Sequence, residues 1–198
     1  MRTAKWSAIA LLLAATPVAA GMADEEGLAA YEVCALCHSL DGVSRMAKFP
    51  KLAGQSAAYL EKQVRDFQSG HRDNDGGQMV SIVSELSDEE IAEAAEWFAA
   101  QPAPTPAEAT DEAFGTGEKL FADLGCLSCH VEEADEGAKG VKLTTQHKAY
   151  LVKQMLDFRD GRRANDLDEV MRSSMDGVSD GEIDAIAVYL AATPRPSK

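Results

Sequence analysis

The chain has 198 residues, with 33 acidic side chains against 19 basic ones and a formal net charge of −14. That balance excludes a nucleic-acid binder, which needs a cationic face, and leaves two readings: solubility, or docking to partners with basic surfaces. The length suits one medium domain or two small ones.

Arg2 and Lys5 form a basic start, Trp6 to Ala15 is a short apolar stretch, and Val18-Ala19-Ala20 supplies small residues. This pattern predicts a cleaved export signal over residues 1–20, cut after Ala20. The apolar run is short for a bilayer span, and no later stretch is long and apolar enough to cross a membrane.

Next comes Cys34-Ala-Leu-Cys37-His38, which returns as Cys126-Leu-Ser-Cys129-His130. Two cysteines two residues apart with a trailing histidine is the arrangement that ties a haem to protein. The thiols of Cys34 and Cys37, and of Cys126 and Cys129, would add to the vinyl groups of two haem c cofactors. His38 and His130 would then reach the irons from below the rings. All four cysteines of the chain lie in these pentads, with two of its four histidines. Two other readings stay open at this point. Four thiolates could hold one structural zinc, and the cysteines could form plain disulfides, but neither explains the trailing histidines.

The chain also repeats. Tyr59-Leu-Glu-Lys-Gln-Val-Arg-Asp-Phe-Gln-Ser-Gly70 aligns with Tyr150-Leu-Val-Lys-Gln-Met-Leu-Asp-Phe-Arg-Asp-Gly161, identical at seven of twelve positions. Arg72 then falls on Arg163. A stretch holding Pro102, Pro104 and Pro106 separates the copies and reads as a semi-extended linker. The repeat therefore predicts a duplicated protein: unit 21–101, linker 102–113, unit 114–198.

Each unit reads as helical. The first helix is expected to begin near Asp24 and to carry Leu28, Tyr31 and Val33. Leu60, Val64 and Phe67 recur at helical spacing and are followed by Gly70, a natural helix stop, with Gly161 in the same role. The last helix of each unit opens on a capping box, Ser87-Asp-Glu-Glu90 and Ser179-Asp-Gly-Glu182. No strand alternation is present, so the fold class is all-α. Units of about 80 residues are marginal without help, and a covalently held ring would fill each core.

A sixth ligand to each iron should recur at mirrored places. Met79 and Met171 do so, just ahead of the capped helices, and a neutral thioether favours ferrous iron. Met175 is a rival in the second unit, where the first has Val83. Met46 follows His38 too closely to reach the far side of the ring. His71 and His147 have no histidine counterpart across the repeat and read as surface histidines.

With these motifs in place, the chain resembles the diheme cytochrome c4 family, two class I cytochrome c domains in tandem, over essentially its whole mature length. The pentads, Phe49-Pro50-Lys-Leu52-Ala-Gly54-Gln55, the Tyr/Leu/Gln/Phe/Gly helix and the Met79 segment carry the resemblance. It implies a periplasmic electron carrier between a quinol-oxidising complex or dehydrogenase and a terminal oxidase, working through redox protein partners. It further implies that the Pro50 carbonyl accepts a hydrogen bond from the imidazole of His38, and that the units pack through a two-fold interface. No nucleophile, base or metal cluster stands outside the haem sites, so the chain reads as an electron-transfer protein and not an enzyme, with no small-molecule substrate. The alternatives are the cytochrome subunit of a sulfide or alcohol dehydrogenase, or a diheme peroxidase. A peroxidase needs an open iron, which the mirrored methionines oppose.

The second unit departs from the pattern. Val141 stands in the place of Pro50, and Thr144-Thr145 replaces Ala53-Gly54. Valine still offers its carbonyl. An acidic run, Glu132, Glu133, Asp135 and Glu136, follows His130. Negative charge stabilises ferric iron, so the second haem is expected to have the lower potential unless the run is only a solvated loop.

Overall fold

The computed structural model describes residues 27–130 and 141–195. Residues 1–26, with the expected signal, and the acidic run at 132–136 lie outside them. Eight α-helices occur among the described residues and no strand: α1 (Ala30–His38), α2 (Ala57–Gln68), α3 (Gln78–Val83), α4 (Asp88–Ala99), α5 (Asp111–Asp123), α6 (Lys148–Arg159), α7 (Val170–Met175) and α8 (Asp180–Ala192). Short 3-10 turns at Cys126–Ser128 and Leu167–Glu169 complete the order. Among the described residues, no helix is long and apolar enough to cross a membrane.

The helices form two packed groups. In the first, α4 lies against both α1 and α2, and α3 packs on α2; in the second, α8 lies against α5 and α6, and α7 packs on α6. Local chemistry explains most boundaries. Ser87 and Ser179 cap α4 and α8 with reciprocal bonds to Glu90 and Glu182, which satisfies N–H groups that the helix itself leaves unpaired. Gly70 (φ +77°) and Gly161 (φ +72°) turn the chain after α2 and α6, a left-handed conformation glycine adopts without a Cβ clash. Two boundaries differ from the sequence reading. The first described helix starts at Ala30 and leaves Leu28 outside it, because Gly27 takes φ +65° and Glu32 reaches back to the N–H of Ala29 at 2.8 Å; the expected start near Asp24 lies outside the described residues. Helix α5 starts at Asp111, within the expected linker, because Thr110 caps it.

The second group has the larger closed core, built from Phe121, Leu151, Met155, Phe158, Met175, Val178, Ile183, Ile186 and Leu190. Helices α5 and α8 meet at Gly117. A Cβ there would overlap the carbonyl oxygen of Ala185 and press on Tyr189, so only glycine lets the backbones approach this far. The central cluster of the first group is only Leu60, Ala95 and Phe98, with Tyr31, Cys34, Leu52 and Trp97 partly covered around it. Phe67, Val83, Ile91 and Ala94 are buried outside that cluster.

The two groups are joined by a reciprocal polar seam. Arg72 donates to Gln63 Oε1 (2.8 Å), Gln154 Oε1 (3.0 Å) and Tyr150 OH (3.0 Å). Arg163 donates to Gln154 Oε1 (2.8 Å), Gln63 Oε1 (2.8 Å) and Tyr59 OH (3.3 Å). Asn74 and Asn165 repeat the exchange onto Asp157 and Asp66. Each guanidinium also stacks 4.5 Å from a phenylalanine of its own unit, Phe67 or Phe158. Beside the seam, Gln55 clasps the backbone of Lys142 and Gln146 clasps that of Lys51, each with two bonds of 2.9 Å. Each of these contacts has its counterpart across the repeat, which is the signature of a two-fold relation between the units.

Candidate haem sites

In the first unit Cys34 and Cys37 lie on α1, and His38 is its last residue. His38 is buried, at 5% exposure, and its Nδ1 donates to the carbonyl oxygen of Pro50 at 2.9 Å. Burial lowers the imidazole's pKa and the Pro50 carbonyl opposes this only in part. A neutral ring with its Nδ1 proton committed leaves Nε2 as a bare lone pair, the form that ligates a metal. The ring is fixed further by Phe49, edge-on at 5.9 Å. Cys34 is half-buried, and burial pushes its thiol up to about 11. Met79 sits half-buried on the first turn of α3, its N–H bonded to Asp75.

In the second unit Cys126 opens the 3-10 turn after Gly125, and Cys129 and His130 follow it. The Nε2 of His130 lies 3.4 Å from the sulfur of Met171, on the first turns of α7. Met175 is only 3% exposed and belongs to the hydrophobic core, whereas Met171 rests half-buried at its edge. Val141, in the place of Pro50, receives no hydrogen bond from His130. His130 Nδ1 is buried with no hydrogen-bond partner among the described residues. A donated Nδ1 proton makes an imidazole a stronger electron donor and favours ferric iron. At His38 the bond to the Pro50 carbonyl supplies that push.

The segment leading to Met171 is strained. Asp168 (φ 52°) and Glu169 (φ 58°) are both left-handed, where the first unit has Gly76 (φ +77°) and Gly77 (φ +81°). Thr145, fully buried, likewise takes φ 61° in the place of Gly54 (φ +64°).

The residues present fit two covalently held haems. All four cysteines are free thiols, and among the described residues no three His, Cys, Asp or Glu converge as a zinc site would require. Apolar side chains stand exposed around both sites: Leu36 (78%), Leu40, Met46 and Ile82 in the first unit, and Leu127, Leu167 (70%) and Val170 in the second. Such a concentration beside two thiols and a neutral imidazole is what a large flat apolar ring would cover.

Comparison with known proteins decides the family. The chain is 37% identical over 175 residues to cytochrome c4 of Azotobacter vinelandii, covering 80% of this chain and 83% of that protein. The chain belongs to the cytochrome c4 family. The general cytochrome c model matches residues 115–194. The crystal structure of reduced recombinant cytochrome c4 from Pseudomonas stutzeri superposes with a TM-score of 0.71 at 34% identity, covering 83% of this chain and 96% of that one. A thiosulfate dehydrogenase electron acceptor from Stutzerimonas stutzeri is 36% identical over 169 residues, covering 80% of this chain and 77% of that protein. As a member of the cytochrome c4 family, the chain is an all-α diheme c-type electron carrier with two covalently bound haem c groups.

The seam residues Gln63, Gln154, Asn74 and Asn165 were not singled out by the sequence reading. Their signal was present, since Gln63 and Gln154 sit on the apolar faces of their helices beside Leu60 and Leu151. His71 is exposed, bonded to Ser69 at 3.1 Å, as expected of a surface histidine. His147 is not one: it is half-buried between the units, bonded to Ser44.

Proposed function

We propose that this cytochrome works in the periplasm, exported by residues 1–20, and carries electrons from a quinol-oxidising complex or a dehydrogenase to a terminal oxidase. The two units, expected at 21–101 and 114–198 with the second opening on α5 at Asp111, each hold one haem. Cys34 and Cys37 carry the first, with His38 and Met79 on its iron; Cys126 and Cys129 carry the second, with His130 and Met171. When bound, each haem supplies one reversible electron. The protein's part is to hold two rigid ligands per iron, exclude water from the buried face and lock the units together, so that little rearranges when the charge changes.

The observation that carries the reading is the approach of His130 Nε2 to Met171 sulfur at 3.4 Å, with Met79 mirrored in the first unit. Met175, packed into the core, is better placed to fill space than to ligate. Accordingly, Met79→Ala and Met171→Ala should each open one reduced haem to carbon monoxide, and Met175→Ala should open neither. Gas binding in Met175→Ala but not in Met171→Ala would reverse the assignment.

A second reading concerns the donor alone. The similarity to a thiosulfate dehydrogenase electron acceptor supports a periplasmic dehydrogenase as the source of electrons. Mixing the oxidised cytochrome with such a dehydrogenase and thiosulfate should reduce both haems; a quinol-oxidising complex reducing it while the dehydrogenase does not would favour the respiratory donor.

A further inference from the structure

His147 occupies the N-cap of α6 but makes no capping bond. Its counterpart, Ser56, caps α2 by accepting from the N–H of Tyr59 at 3.4 Å. Giving up such a cap costs helix stability, and the side chain is used elsewhere. It crosses to the first unit, where Nε2 lies 2.9 Å from Ser44 Oγ and 3.1 Å from Ser44 O. Ser44 is buried, at 3% exposure, and its hydroxyl donates to the carbonyls of Phe49 (2.5 Å) and Met46 (3.2 Å). With that proton committed, the histidine must be the donor, which assigns its proton to Nε2 and leaves Nδ1 as the basic nitrogen. Phe49 in turn packs edge-on against His38, and the next residue, Pro50, accepts the His38 Nδ1 proton.

We propose that His147 is a positioning residue for the first haem: from the second unit it fastens the Ser44–Pro50 loop that orients His38, so the second unit sets the potential of the first haem. It touches neither iron ligand and acts through Ser44 and Phe49. The proposal rests on His38 being the first iron's ligand.

The charges around the ring give this contact a second property. Lys51 faces it from the first unit, its Nζ on the carbonyl of Thr145 at 2.7 Å. Arg195 lies near Lys51, on the carbonyls of Ala53 and Thr144. Next in sequence to Ser44, Arg45 is paired with Asp41; next to His147, Lys148 is paired with Asp184. No carboxylate is bonded to His147 among the described residues. Burial, then Lys51, holds its imidazole below the usual histidine range, with the Ser44 carbonyl opposing in part. The ring is therefore neutral at pH 7 and gains its proton on the acid side. A positive charge there disfavours ferric iron, so the first haem's potential rises as the pH falls.

The test is a redox titration of the haem-loaded full chain between pH 5 and 8, with the two haems resolved by NMR. At pH 8, His147→Ala should raise the first haem's potential and leave the second unmoved. His147→Gln keeps an N–H donor at the position of Nε2, so it should keep the wild-type value at pH 8 and lose the His147 part of the acid rise. An unmoved first potential in His147→Ala, or an undiminished acid rise in His147→Gln, would overturn the proposal. A His38→Ala control separates this from the ligand assignment: a first-haem spectrum that survives the change removes the premise, whereas one that changes while His147→Ala has no effect overturns the proposal alone.

Discussion

The seam between the units makes a quantitative prediction, because its two arginines share their acceptors. In Arg72→Ala the protein loses bonds to Gln63, Gln154, Tyr150 and Asn74, and the stack on Phe67. Yet Gln63 keeps Arg163 and Asn165 as donors, and Gln154 keeps Arg163 and Asn74. Tyr150 OH and Asn74 Oδ1 each lose a partner outright. Bonds from a charged donor are worth about 1.5–3 kcal/mol and the stack about 1 kcal/mol, while the desolvation penalty of the arginine is recovered on its removal. A net cost of about 2–4 kcal/mol follows, and the same for Arg163→Ala. In the double variant each glutamine oxygen retains a single asparagine donor. The first removal also relieves repulsion between two buried cations, and the second has none to relieve. The double variant should therefore lose about 1–2 kcal/mol more than the sum of the singles. Urea unfolding of the haem-loaded protein, followed by far-UV circular dichroism, measures all three. Loss of the seam should also split one transition into two. Costs that add within about 0.5 kcal/mol, with a single transition kept throughout, would refute the shared-acceptor argument.

Other outcomes follow from single positions. Gly117→Ala drives a Cβ into the carbonyl of Ala185 and should cost about 3 kcal/mol, read as a lowered thermal midpoint; an unchanged midpoint would mean that α5 and α8 do not cross this closely. Replacing Asp168 and Glu169 by glycine, as in the first unit, should stabilise the protein by about 1–2 kcal/mol by relieving left-handed strain, and a loss of stability would place that strain elsewhere. For Asp157, burial pushes the carboxyl up, but Lys153, Arg162 and Asn74 outweigh it and hold it below the usual range. Its contribution is thus complete above the ordinary aspartate value near 4 and is lost as the pH falls through the lowered native value. The thermal midpoint of Asp157→Asn should fall less steeply than that of the wild type below about pH 4; equal slopes would show that Asp157 is not the linked group.

Much of this was legible in the sequence, and the exceptions have physical causes. Capping boxes and glycine stops depend on neighbours along the chain, so Ser87, Ser179, Gly70 and Gly161 could be read directly. Helices α3 and α7 could not, because six residues show too little periodicity to be distinguished from a loop. The mirrored methionines were found by repetition, but what separates Met171 from Met175 is burial, which depends on how α7 packs on α6. The seam was half visible: a glutamine on an apolar helix face, twice over, marks a buried polar contact, but its partner belongs to the other unit. His147 was invisible to the repeat argument because its value lies in being unlike Ser56. That His130 Nδ1 finds no partner among the described residues depends on where the backbone around Val141 runs, which residue identity does not fix.

The most direct measurement of the central claim is the optical spectrum of the fully reduced, haem-loaded protein before and after carbon monoxide. Two irons each held by a histidine and a methionine predict bands that stay essentially unmoved in the wild type. Rapid gas binding at either haem would mean an open iron, and would contradict the reading of this chain as a carrier with both irons closed.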